Sequence, residues 1–187
     1  MIGAHFDFAE HGQGMVDDWS GAALLPSLYP ALKGTPRRHT FVFVAFAEEE
    51  RGLVGSSRYV KELNKEQQSR VQAFVNLECL GLGPTKVWVH RATPALVSRL
   101  MDVANSIHSP VGEMDVEQIG DDDSHPFLTA HMPVITLHSV TPATWHLLHS
   151  ERDRADAIHA DDYYETYRLA ALYLAYLDVK ADQGLLR

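Results

Sequence analysis

The stretch Phe41-Val-Phe-Val-Ala-Phe-Ala-Glu-Glu-Glu-Arg-Gly52 decides how the chain is read. Six apolar residues, rich in Phe and Val, describe a strand covered on both faces, and its end turns abruptly acidic at Glu49 and Glu50. The same arrangement recurs elsewhere. Ile2-Gly-Ala leads into His5, and Ala73-Phe-Val-Asn-Leu77 ends on Glu78. The glycine-flanked turn Gly14-Met-Val-Asp-Asp-Trp-Ser-Gly21 carries Asp17, and His149 lies beyond Pro133-Val-Ile-Thr-Leu137. In an open parallel α/β sheet the carboxyl ends of the strands share one crest, where ligands bind. Two imidazoles and several carboxylates gathered there read as a zinc site with a spare acid, a combination suited to metal-assisted hydrolysis.

Outward from these strands, apolar runs alternate with helical patterns, as in a doubly wound α/β sheet. Helices are expected over 20–33, 51–63, 94–107 and 161–178. Pro26 and Pro30 predict a kink or break in the first. Pro94 suits the first turn of the third, and Asp161 or Asp162 the cap of the last. Further strands are expected over 72–77, 86–90 and 134–137. The acidic, aperiodic stretch 112–124 reads as a surface loop holding one short strand.

At 187 residues the chain reads as one domain, large enough to bury a core unaided. A net charge of -9 argues against nucleic-acid and anionic-membrane partners, which call for a basic face. The only cysteine, Cys79, leaves no intrachain disulfide and no thiolate zinc finger. It reads as a small buried hydrophobe. No apolar run approaches the ~20 residues of a membrane-spanning helix. Met1-Ile-Gly-Ala-His5 reads as a core strand, not as a signal peptide.

Singly, each site signal is weak: a lone His-x-Asp arises by chance, Asp-Asp near Gly marks a turn, and a Glu run often starts a solvated helix. Their joint pattern is specific. Ala4-His-Phe-Asp7, the Gly14–Gly21 turn, Ala45-Phe-Ala-Glu-Glu-Glu-Arg-Gly-Leu-Val-Gly-Ser56, Val75-Asn-Leu-Glu-Cys-Leu-Gly81, Ser124-His-Pro-Phe127 and His149 together resemble the di-zinc aminopeptidases of clan MH. That group also contains glutamate carboxypeptidase and the glutaminyl cyclases. The resemblance covers nearly the whole chain. It implies a three-layer α/β/α sandwich with a mostly parallel mixed sheet and two Zn2+ ions per chain. The implied activity is an exopeptidase that removes N-terminal residues from a peptide substrate by attack of a metal-bridged water. Residue by residue, it implies His5 and Glu78 as ligands of one zinc, Glu50 and His149 as ligands of the other, and Asp17 as the bridge. Glu49 is implied as general base, and Asp7 as the acid that orients His5.

Some features depart from the family pattern. Glu78 stands where the family commonly has Asp, and Asp123-Ser124-His125 replaces the usual Ser-Asp-His before Pro-Phe. The family's strands before His-x-Asp are missing, so the strand over 2–5 is expected at an exposed sheet edge that self-associates into a homo-oligomer. His138 and His146 rival His149 for the last ligand position. His149 is favoured because Leu148-His-Ser-Glu-Arg-Asp153 resembles the family's His-Thr-x-x-Asp. His11, His39, His90, His108, His131 and His159 read as surface or structural. Trp145, Phe127 and Leu148 are candidates for a specificity pocket. Arg51, Arg152 and Arg154 are the cations that a carboxypeptidase would use to hold a C-terminal carboxylate. A glutaminyl cyclase and a non-catalytic peptide-binding domain would use the same fold; complete ligand sets weigh against both.

Overall fold

The structure, a computed structural model, describes residues 1–34 and 36–181. Six strands form one sheet: β1 (Ile2–His5), β2 (Phe43–Phe46), β3 (Phe74–Leu77), β4 (Lys86–Val87), β5 (Gly112–Glu113) and β6 (Val134–His138). Their order is β2-β1-β3-β6-β4-β5. The first four in that order run parallel, whereas β4 is antiparallel to β6 and parallel to β5.

Period-two alternation sends neighbouring apolar residues to opposite faces. Val75, Leu77, Ile135 and Leu137 pack on α1 (Trp19–Lys33), α4 (Pro94–Ser106) and α6 (Ala160–Lys180). Phe74 and Val134 face the other way, against Val60 of α2 (Val54–Glu62) and Phe127 of α5 (Ser124–Thr129). A sheet buried on both faces explains why its strands read as continuous apolar runs. The outcome is the expected three-layer sandwich. Gly3 is required on the second face. A Cβ there would stand 2.6 Å from the Phe74 ring, which is itself stacked on Phe127 at 3.9 Å between centroids.

Several elements differ from expectation. α1 is not interrupted: it runs through Pro26 and Pro30, both on its exposed side, where water can satisfy carbonyls left without an amide partner. α2 starts at Val54 rather than 51, because Glu48, Gly52 and Leu53 take left-handed conformations and form a turn first. A separate short helix, α3 (Lys65–Arg70), follows. Its capping box between Asn64 and Gln67 is visible in the sequence as Asn-x-x-Gln. α6 is preceded by His159 at its cap position, not by Asp161 or Asp162, which lie in its first turn. β1 is not an edge strand. It sits between β2 and β3, and β2 and β5 are outermost. β5 is the short strand expected within 112–124, but Ser124 already belongs to α5.

Candidate active site

Each of the five expected metal-binding side chains sits at the crest. β1 delivers His5 fully buried at its last position. Its Nε2 lies 3.1 Å from Oδ1 of Asp17 and 3.3 Å from Oε1 of Glu78. The second oxygen of Asp17 lies 3.0 Å from Nε2 of His149, which is 3.1 Å from Oε2 of Glu50. One carboxylate thus faces an imidazole with each of its oxygens, and each imidazole has a carboxylate of its own. Atoms bound to one Zn2+ at about 2.0–2.2 Å in tetrahedral directions stand roughly 3.3–3.5 Å apart. The observed separations are close to that, so the donor set fits a pair of cations on chemistry and on spacing. Ligand atoms of Asp17, Glu50 and His149 lie within 4.8 Å of one another, as do those of His5, Asp18 and Glu78.

Local backbone geometry explains how adjacent Glu49 and Glu50 both face the site. After β2 the chain closes a turn in which the amides of Gly52 and Leu53 donate to the Glu49 carbonyl. The Asp7 carboxylate accepts from the Glu49 amide at 3.1 Å and the Glu50 amide at 3.2 Å. The sequence pattern implies only that Asp7 orients His5. In fact its backbone carbonyl is the nearer partner of His5 Nδ1, at 3.1 Å, with its carboxylate at 3.6 Å. Its two carboxylate oxygens chiefly fix the turn that carries both glutamates. Glu49 Oε2 stays 4.0 Å from His5 Nε2, farther than either Asp17 or Glu78.

Other supporting contacts escape a reading of the sequence. Asp153 reaches back across the fold to accept from the Val16 amide at 2.6 Å and the Asp17 amide at 3.4 Å. The Asp17–Asp18 peptide bond is cis. Asp18, fully buried, accepts from the amides of Gly21 and Cys79, joining the start of α1 to the end of β3. Asn76 donates from Nδ2 to Oε2 of Glu78 at 3.3 Å. Asp122 accepts from the hydroxyls of Thr136 and Ser124, and Asp123 is buried beside it. The sequence marks Asp153 by the His149–x–x–x–Asp153 spacing and Asp18, Asn76 and Asp123 by their places in the quoted motifs, but it marks none of the contacts they make.

The charges are poorly balanced. Asp17, Asp18, Glu49, Glu50 and Glu78 surround two imidazoles. Burial and the neighbouring Glu78 push the Glu49 carboxyl up to about 10. Burial also raises Glu78, Asp18 and, to about 7, Asp123. Burial opposes charge on His5, but the Glu78 and Asp17 carboxylates outweigh it and hold the imidazole far above its ordinary value. Hydrogen bonds to Asp17 and Glu50 lift His149 to about 10. Asp17 itself, although burial disfavours its charge, is pulled down by His149 and His5. Surplus buried negative charge is what cations would neutralise.

A cavity of about 230 Å³ opens beside this cluster. Its walls include Glu49, Glu50, Glu78, Cys79, Trp88, Val116, Ile119, Val140 and Leu148. Of the three pocket candidates only Leu148 lines it. Phe127 is consumed by the core stack with Phe74, and Trp145 is exposed on a 3₁₀ turn. His138 lines the cavity but belongs to none of the converging donor groups; buried, it bonds the Met114 carbonyl and is pushed down to about 4 by burial. His146 is exposed on the 3₁₀ turn. Arg51 pairs outward with Glu48, and Arg154 with Asp156. Cys79 is buried as expected, and burial raises its thiol.

Fold and donor set define a class: an α/β/α protein with an imidazole–carboxylate cluster suited to cations at the crest of its sheet. The chain belongs to peptidase family M28, which matches residues 1–174. It is 28% identical over 142 residues to leupeptin-inactivating enzyme 1 of Streptomyces exfoliatus, covering 74% of this chain and 32% of that protein. It is 34% identical over 80 residues to aminopeptidase YwaD of Bacillus subtilis, covering 43% and 18%. A zinc aminopeptidase structure from Bacillus subtilis superimposes with a TM-score of 0.81 at 23% identity, over 93% of this chain and 45% of that one. A glutaminyl cyclase from an Acidobacteriales bacterium shares the fold with a TM-score of 0.77 at 19% identity, over 96% and 70%. The matched segment spans less than a third of these curated relatives.

Proposed function

We propose that the chain is the catalytic part of a two-zinc aminopeptidase. The observation that carries the reading is Asp17, whose two oxygens face His5 and His149 separately, at 3.1 and 3.0 Å. His5 and Glu78 would hold one zinc, Glu50 and His149 the other, and Asp17 would join them. When bound, zinc would supply the Lewis acidity that acidifies a water and polarises the scissile carbonyl. With the Glu78 and Asp17 charges offset by cations, the Glu49 carboxyl would ionise. Glu49, held in place through its backbone by Asp7, would then take the proton of the attacking water and hand it to the departing amine. The apolar cavity receives the side chain of the first residue. Its titratable lining residues are Asp, Glu, His and a buried thiol; no Arg or Lys lines it among the described residues, while Arg51 points outward. An acid-lined cavity suits a free α-ammonium group and offers nothing to a C-terminal carboxylate, which favours an aminopeptidase over a carboxypeptidase.

The test is hydrolysis of aminoacyl-nitroanilides alongside metal analysis, before and after chelation. The expected result is zinc-dependent release at the N-terminus with close to two zinc ions per chain. Cleavage confined to C-terminal residues, or the same rate after chelation, refutes the proposal.

A further inference from the structure

The apolar wall of the cavity is a loop, residues 114–122, that departs from β5 and returns to α5. Val116 and Ile119 line the cavity and, like Leu147 and Leu148, pack on the buried cluster of Val16, Cys79, Leu82 and Val140. A loop built this way, half-exposed and lying beyond the last ladder bond from the Met114 amide to the Val87 carbonyl, needs fastening to hold one shape. Two consecutive residues just past β4 fasten both its ends. The His90 amide donates to Oδ1 of Asp115 at 2.9 Å, and its Nδ1 stands 3.3 Å from Asp115 Oδ2 and 3.2 Å from Glu117 Oε1. Arg91 holds the far end. Its Nη1 pairs with Oδ1 of Asp121, and its guanidinium lies 4.2 Å above the ring of Trp88. Trp88 is buried and lines the same cavity, as does Asp121.

We propose that Arg91, assisted by His90, is a positioning residue that clasps the 114–122 wall against Trp88. The clasp would thereby set how large an apolar side chain the cavity accepts from the first residue of the substrate. The substrate part rests on the aminopeptidase reading; the clasp itself does not. An ordinary surface ion pair is worth little. Here the arginine side chain is only 23% exposed, and its planar group is used twice, as an Nη1 donor to Asp121 and as a lid on an aromatic face. Arg91 lies outside the catalytic cluster and is not itself a lining residue; its effect passes through Asp121 and Trp88, which are.

Two variants of the zinc-loaded protein test this. Arg91→Met keeps the aliphatic stem but removes both charge contacts; Arg91→Lys keeps the charge but not the planar group over Trp88. Backbone amide exchange, read by mass spectrometry, should rise about tenfold over residues 115–121 in Arg91→Met while β3 and β6 stay protected, with Arg91→Lys in between. On leucyl- and alanyl-nitroanilide, the leucine-to-alanine ratio of kcat/KM should fall about tenfold in Arg91→Met, carried by KM, because alanine does not reach the wall. Lysine should restore part of that ratio. Loop exchange within twofold of the parent in Arg91→Met overturns the clasp. Faster exchange with an unchanged ratio overturns its role in selectivity. If β3 and β6 also lose protection in Arg91→Met, the lysine variant alone decides both points. If the parent hydrolyses neither substrate, the aminopeptidase reading falls and exchange still judges the clasp.

Discussion

On the proposed reading, replacing Glu49 by Gln should separate proton transfer from metal retention. The side chain keeps its length and one carbonyl oxygen but loses its basicity. The nearest approach of its carboxylate to His5 Nε2 is 4.0 Å, against 3.1 Å for Asp17 and 3.3 Å for Glu78. Two ligands of one zinc stand roughly 3.3–3.5 Å apart, so Glu49 is set back far enough to meet a water rather than the ion. Its carboxylate is absent from each grouping whose donor atoms converge within 4.8 Å among the described residues. Asp7 grips the amide of residue 49, not its side chain, so the turn survives the substitution. General-base assistance contributes ~10²–10⁴-fold, so kcat should drop by that factor, or about 2.7–5.4 kcal/mol of barrier. Zinc content, measured by atomic absorption after dialysis, should stay unchanged in Glu49→Gln. In Glu50→Gln it should fall, because Oε2 of Glu50 lies 3.1 Å from His149 within a converging group. Turnover within a few-fold of the parent, or zinc loss from Glu49→Gln alone, refutes the assignment.

Asp7→Asn leaves one acceptor for two amide donors and turns an amide N–H against the other. Zinc affinity or activity should fall ~10–100-fold, as removal of an outer partner typically does, and a chelator competition showing no change would count against Asp7 as the support of the turn. Chelation should lower the unfolding free energy by about 4 kcal/mol when free zinc had stood at ~1,000 times its Kd; a denaturant midpoint insensitive to chelator would show the cluster to be uncoupled from folding. His138 is held neutral in the fold, at about 4 against an ordinary 6.5. Unfolded chains therefore take up a proton that folded ones refuse as pH falls from 6.5 towards 4. Over that window His138 should remove roughly 1.4 kcal/mol of stability per pH unit, with its full contribution present above 6.5. In urea titrations at pH 4.5 and 7.5, His138→Gln should lose less on acidification than the parent, and equal losses would refute this account.

The crest is legible in the sequence because metal-suited residues announce themselves by type and by position after an apolar run. His5, Glu50 and Glu78 each follow a strand whose continuous hydrophobicity reports burial on both faces, and the structure sets them together. Asp17 and His149 lie in loops, yet glycine flanks and the spacing to Asp153 mark them. What stays hidden is the layer that aims them. Asp153 holds the amides of Val16 and Asp17 across more than 130 residues, and Asp18 joins α1 to β3. Bonds of this kind depend on which loops meet in space, and no periodicity encodes that. The pocket is misread for the reverse reason. Residue type assigns Phe127 to it, but a large apolar ring gains most from a buried stack, and Phe74 provides one. The short length of β1 suggests an edge strand, but length does not report position. Its apolar residues, Ile2 and Ala4, instead belong to a core with neighbours on either side. Residue type thus locates a site once strand ends are known, while its precision comes from backbone contacts between distant loops. That is why Asp7, whose His-x-Asp spacing is plain, acts mainly on Glu49 and Glu50, some forty residues farther along the chain.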